Sequence, residues 1–186
     1  MATSVPNPAT LADLAAVPDD KIAQILDGEL IVQPRPSMPH ARASSVLGGE
    51  LMGPFDRGRG GPGGWILLDE PELHLGGDVL VPDLAGWRRE RLPELPETAF
   101  LTVAPDWVCE VLSPGTAAID RVKKLRIYAR ERVAWYWLLD PQSKTLEILR
   151  WAEGSYLVEA THDGEAAVRA PPFDAIELDL PGLFTR

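Results

Sequence analysis

The chain has 186 residues, a formal net charge of -10, 45% hydrophobic residues and a single cysteine. That length suits one domain with a core of its own. The charge argues against coating nucleic acid by bulk electrostatics, and one cysteine excludes an internal disulfide framework. No basic-then-apolar leader opens the sequence and no apolar run reaches bilayer-spanning length, so a cytoplasmic protein with no membrane role is expected.

Residues 1–20 are small, polar and proline-containing, and read as a flexible N-terminal arm with a short helical turn near Leu11–Ala16. Residues 21–186 read as the single domain. "IAQILDGELIVQP" sets two apolar runs either side of Asp27-Gly28, a hairpin signal because both turn positions tolerate positive φ. From His40 to Met52, the helical spacing of Ala43, Leu47 and Leu51 predicts a helix that Gly53-Pro54 should end. The glycine-rich "FDRGRGGPGG" lacks the Gly-Lys-Ser/Thr ending of a phosphate-binding loop and reads as a connector. "WILLDE" and "VLVPDLAGW", with Gly76-Gly77-Asp78 between them, predict two strands of a hairpin, and the polar stretch after Trp87 a surface excursion.

"DWVCEVLSP" reads as a core strand with a glutamate at its centre. A helix over Thr116–Arg132 follows, its buried stripe expected at Ala118, Val122, Leu125 and Ala129. "AWYWLLD" and "KTLEILRW" predict a further hairpin around Asp140-Pro141, "YLVEA" extends the sheet, and the tail ends in an edge strand and a turn. The order implies an α/β or α+β domain with a mixed β-sheet flanked by helices and additional hairpins.

Two acids interrupt the central strands. Asp83 follows Pro82, which removes a ladder donor and marks a strand end, edge or bulge. Alternation places Glu110 with Val108 and Leu112 on one face, opposite Trp107, Cys109 and Val111. One acid on each of two neighbouring strands can converge on a point, and convergent hard oxygens suit Mg²⁺ or Mn²⁺. Asp120, Lys124 and Tyr128 recur at four-residue spacing; Lys124 falls beside the buried stripe and Lys123 farther out. Taken singly, Lys124 reads as a surface ion-pair partner of Asp120 and Asp83 as a turn aspartate, while Glu110 reads as a functional acid ahead of its alternative, a core ion pair. Together the three point to a charged site. The basic run "RVKKLRIYARER" reads as a solvated helix face, compatible with a phosphate-facing surface. His74 and His162 lack a paired ligand pattern for zinc, and Ser113 lacks the setting of a nucleophilic serine.

The stretches "VPDLAGW", "WVCEVLSPGT" and "DRVKKLRIYARERVAWYWLLDP", together with the early "DGELIVQPRPSMPHARASSVLGGEL", resemble the bacterial restriction-endonuclease-like family within the PD-(D/E)xK nuclease superfamily. The resemblance runs from about Ile22 to Arg150 and implies a restriction-endonuclease-like core. It makes Asp83 and Glu110 the metal-binding acids and Lys124 the catalytic lysine, moved from the strand, where Leu112 stands, into the next helix. Glu29 and His40 become supporting rim residues; on the residues alone they read as a solvent-facing strand acid and a helix opener.

The expectation is a Mg²⁺- or Mn²⁺-dependent endonuclease acting on DNA, with Asp83, Glu110 and Lys124 as its catalytic residues. A catalytically weak nuclease-fold module that binds nucleic acid or assembles as a homodimer, anchored by "AWYWLLD", is the rival from another class. A sugar hydrolase with two carboxylates is a third option, but that chemistry has no need of Lys124.

Overall fold

In the computed structural model, which describes residues 7–185, the core is organised around one buried strand. Strand β1 (Lys21–Leu26) turns at Asp27-Gly28 into β2 (Glu29–Pro34), and both turn residues take positive φ, 52° and 76°. Of the expected N-terminal arm, residues 1–6 lie outside the described residues. Its remainder holds helix α1 (Leu11–Ala15), closed by a capping box between Thr10 and Asp13. The Ala9 N–H donates to the Gly28 carbonyl at 2.7 Å, tying this segment to the hairpin.

Helix α2 (Met38–Leu51) buries His40, Ala43, Ser44, Leu47 and Leu51, the three- and four-residue spacing of a core-facing stripe. Gly53-Pro54 does not stop it. The chain widens into a π turn over Met52–Asp56, whose looser register accommodates Pro54 and carries Phe55 into the core.

The stretch expected to form one strand, Val79–Trp87, is two. Strands β3 (Trp65–Asp69), β4 (Glu72–Leu75), β5 (Asp78–Leu80) and β6 (Leu84–Arg88) follow in order; Gly76-Gly77 turns β4 into β5, while β3 pairs antiparallel with β6. Pro82 is the physical reason. It cannot donate to a ladder, so the chain leaves one sheet at Val81 and enters another at Leu84. With β7 (Phe100–Leu101) the first sheet has the order β2-β1-β5-β4-β7.

The second sheet has the order β11-β10-β9-β8-β6-β3, from β8 (Trp107–Val111), β9 (Trp135–Asp140), β10 (Thr145–Ala152) and β11 (Ser155–Asp163). Strand β8 lies inside it, antiparallel to β6 and parallel to β9, and all five of its residues are buried. Between β8 and β9 the chain crosses through a π turn over Ile119–Lys124 and helix α3 (Leu125–Arg130). A small ladder of β12 (Ala167–Val168) with β13 (Leu178–Asp179) and helix α4 (Leu180–Phe184) end the chain, so the expected closing turn is helical.

The two faces of β8 feed two cores. Trp107, Cys109 and Val111 join Leu47, Leu51 and Phe55 under α2, while Val108 and Leu112 join Tyr128 and Tyr136 on the other face. On the first face Trp107 meets Trp137 and Phe173 edge-on, with ring centroids 5.3 and 4.8 Å away. Such pairs add about 0.5–1.5 kcal/mol each beyond burial. The run "AWYWLLD" is β9, with Tyr136–Leu139 buried, so it is core and not an exposed anchor for a dimer.

Candidate active site

Asp83 sits where Pro82 breaks the chain between the two sheets, directly before β6. Its Oδ2 accepts the Val111 N–H at 2.7 Å, so the carboxylate takes the place of a missing ladder acceptor and pins the end of β8. Its Oδ1 lies 3.3 Å from His40 Nε2 on the first turn of α2. Burial opposes charge on that imidazole, yet the Asp83 hydrogen bond and charge outweigh it and raise its pKa.

Glu110, one residue before Val111, is buried on the opposite face. Its Oε2 accepts from Lys124 Nζ at 2.8 Å and its Oε1 from the Tyr128 hydroxyl at 2.9 Å. Lys124 also donates to the Val81 carbonyl at 3.3 Å and forms an ion pair with Asp120 Oδ1 at 3.5 Å, so its ammonium is surrounded by three acceptors. The Glu110 and Lys124 side chains are 3% and 4% exposed. The sequence-level alternative for Lys124, a surface pair with Asp120, has the right partner and the wrong environment.

Burial pushes Glu110 up to about 8; Lys124 pulls it down while Asp120 and Asp83 push it up. Asp120 is raised first by burial as well. For Lys124 burial works against the charge, but Glu110 and Asp120 outweigh it, so the ammonium is held above the ordinary lysine range. One firm cation thus faces several acids.

The buried stripe expected on the following helix is rotated. Val122 is 54% exposed, whereas Asp120, Lys124 and Tyr128 all point inward. The π turn is the cause: the Leu125 N–H reaches back five residues to the Asp120 carbonyl, and that extra residue per turn resets the face. The Tyr136 hydroxyl donates to the same carbonyl at 3.0 Å.

Asp83, Glu110, Lys124 and His40 line one cavity of about 420 Å³, with Asp120 and Glu70 also in its wall. Glu29 is not brought to it. That side chain is 62% exposed at the start of β2 and pairs with Lys123. Sequence reasoning passed over Asp120 and Tyr128 as site residues, although the Asp-x₃-Lys-x₃-Tyr spacing it noted is the signal that finds them. It missed Glu70, which carries no such pattern.

The basic run on this crossover is a solvated helix face, and several of its cations are paired with acids of this chain. Arg121 pairs with Glu147 at 3.0 Å, Arg126 with Asp27 at 3.1 Å and Arg130 with Asp78 at 2.7 Å, besides the Lys123–Glu29 pair. These contacts clamp both sheets to the crossover.

Among the described residues, no group of three or more acid, histidine or cysteine side chains is arranged to hold a metal alone. The donor set does fit a hard divalent ion that keeps water or substrate oxygens. Such ions need one or two carboxylates, each engaged oxygen of Asp83 and Glu110 retains a second lone pair, and the raised acids lack sufficient positive charge.

The profile of the family described as "Uma2: Putative restriction endonuclease" matches residues 8–181. The chain belongs to the Uma2 family. A crystal structure described as a "putative nuclease belonging to DUF820" from Anabaena variabilis superposes with a TM-score of 0.76 at 22% identity, covering 95% of this chain and 98% of that one. At that identity the likeness establishes the fold, and this Uma2 chain shares it. No curated protein matches the Uma2 chain in sequence.

Proposed function

We propose that this Uma2 protein is an endonuclease that hydrolyses phosphodiester bonds in DNA, with Mg²⁺ or Mn²⁺ held by Asp83 and Glu110. The convergence of Asp83, Glu110, Asp120, Lys124 and His40 on one cavity is the observation that carries this reading. A divalent ion bound there neutralises phosphate charge and makes its water more acidic. The protein's own residues do the rest. Lys124 and Tyr128 fix both oxygens of Glu110, the Val111 amide fixes Asp83, and Lys124 adds positive charge where the transition state is anionic. His40 Nε2 is held by Asp83, and its buried Nδ1 has no hydrogen-bond partner among the described residues.

The test is cleavage of labelled single- and double-stranded DNA, and of RNA, in Mg²⁺, Mn²⁺ and chelator. Divalent-dependent DNA cleavage is expected. A protein that binds the metal yet cuts no nucleic acid would contradict the enzyme reading.

A second reading, a nuclease-fold binding or assembly module, is favoured by one observation: the buried Lys124 ammonium is held by Glu110, Asp120 and the Val81 carbonyl, so the lysine is locked in place. Binding of DNA without cleavage would select it. The homodimer expected with it has to use a surface other than β9, and light scattering at high concentration decides whether it forms. A cytoplasmic location suits the lone, buried and unpaired Cys109. Among the described residues no helix is long and apolar enough to cross a membrane.

A further inference from the structure

The cavity has a charge problem for a substrate made of phosphates. Its wall carries Glu70, Asp83, Glu110 and Asp120 against two permanent cations, Lys124 and Arg35. Lys124 is buried and fully engaged with Glu110, Asp120 and the Val81 carbonyl. On the neighbouring basic helix Arg121, Lys123, Arg126 and Arg130 each face an acid of this chain, and none of them lines the cavity.

Arg35 differs on every count. It is exposed at the cavity rim, in the segment Pro34–Ser37 that leads into α2 and His40. Its one side-chain hydrogen bond among the described residues goes to the Asp19 carbonyl, at 2.8 Å, which orients the guanidinium without neutralising it. Prolines on both sides restrict the backbone, Pro36 by confining the residue before it to extended conformations, so the position of Arg35 is set in advance. Arg35 lines the same cavity as Glu70, whose raised pKa its charge opposes. A guanidinium has further N–H donors in a planar fork suited to phosphate oxygens.

We propose that Arg35 is the substrate-positioning residue of this site: it binds a backbone phosphate adjacent to the one presented to Asp83 and Glu110. The strand then enters over the Pro34–Ser37 rim and not along the basic helix. This inference rests on the nuclease reading of the cavity.

The test is anisotropy of a fluorescently labelled DNA duplex with the full chain in Ca²⁺, over a series of salt concentrations, alongside cleavage in Mg²⁺. Arg35→Gln is expected to weaken binding by about tenfold, the loss of one charged hydrogen-bonding group, and to lower the salt slope by about one. Arg35→Lys should restore the slope and only part of the affinity. Arg126→Gln, whose partner is Asp27, should leave both unchanged. Wild-type affinity and slope in an Arg35→Gln protein, with the wild type still cutting, would overturn the role of Arg35 and leave the nuclease reading standing. A wild type that neither binds nor cuts DNA would overturn both.

Discussion

Glu110 and Lys124 depend on one another. Removing the ammonium leaves Glu110 and Asp120 buried beside each other without a cation, so Lys124→Ala should cost about 3–5 kcal/mol of stability as well as activity. Lys124→Ala combined with Glu110→Gln should recover part of that loss in urea denaturation, because the uncompensated charge is gone; a loss equal to the sum of the two single changes would refute the coupling. Tyr128→Phe is milder. It strips one donor from Glu110 Oε1 and should cost about 1–3 kcal/mol, read from the same titration. Much at this scale was legible from residue type and spacing: an acid amid an apolar strand needs a partner, and Lys124 falls four residues from both Asp120 and Tyr128. The exposed position of Glu29 was legible as well, since on the residues alone it reads as a solvent-facing strand acid; the family resemblance drew it to the cavity rim.

At the scale of elements, two local irregularities set the site. Pro82 ends β5 and lets Asp83 stand clear of both ladders, and the π turn over Ile119–Lys124 rotates Asp120 and Lys124 inward. Neither was readable as such. An ideal helical wheel assigns Val122 to the core, because nothing in residue type marks a turn of five. The strand split at Pro82 was foreshadowed by the proline, yet the change of sheet depends on pairing with β1 and β3, which no local pattern records. Gly86 shows how closely β6 is packed. A Cβ there would lie 2.8 Å from Leu67 Cδ2 and 3.2 Å from both Trp65 and Trp107, so Gly86→Ala should cost about 1–3 kcal/mol by thermal or urea unfolding. An unchanged midpoint would mean that the tryptophans move aside freely.

For the whole molecule, the buried acids should make stability and the proposed metal binding opposite functions of pH. The pKa values of Glu110, Asp120 and His40 are raised in the folded state, Glu110 to about 8 from an ordinary value of 4.5. A raised pKa means that the fold holds its proton more tightly than the unfolded chain does. Its contribution is complete below the unfolded value and is lost as pH rises through the folded one. The metal-free protein should therefore lose stability between about pH 5 and 8. Mn²⁺ affinity should climb over the upper part of that window, since Glu110 must shed its proton to bind, and level off above about 8. Calorimetry across this range checks both; affinity that does not change with pH would place the ion away from Glu110. The mixed sheet and the order of the middle strands were legible because turn residues and apolar runs punctuate them. The net charge concealed how the cations are used, since ion pairing within the chain is a tertiary fact.

Metal-dependent DNA cleavage at Asp83 and Glu110 stands most directly on a single comparison: cleavage of duplex DNA in Mg²⁺ by the wild type and by Asp83→Asn and Glu110→Gln, each shown to be folded by its thermal unfolding. It predicts divalent-dependent cutting by the wild type and a loss of at least about a hundredfold in either near-isosteric variant, the scale of removing a group that stabilises transition-state charge. Cutting at wild-type rate by both variants would contradict it.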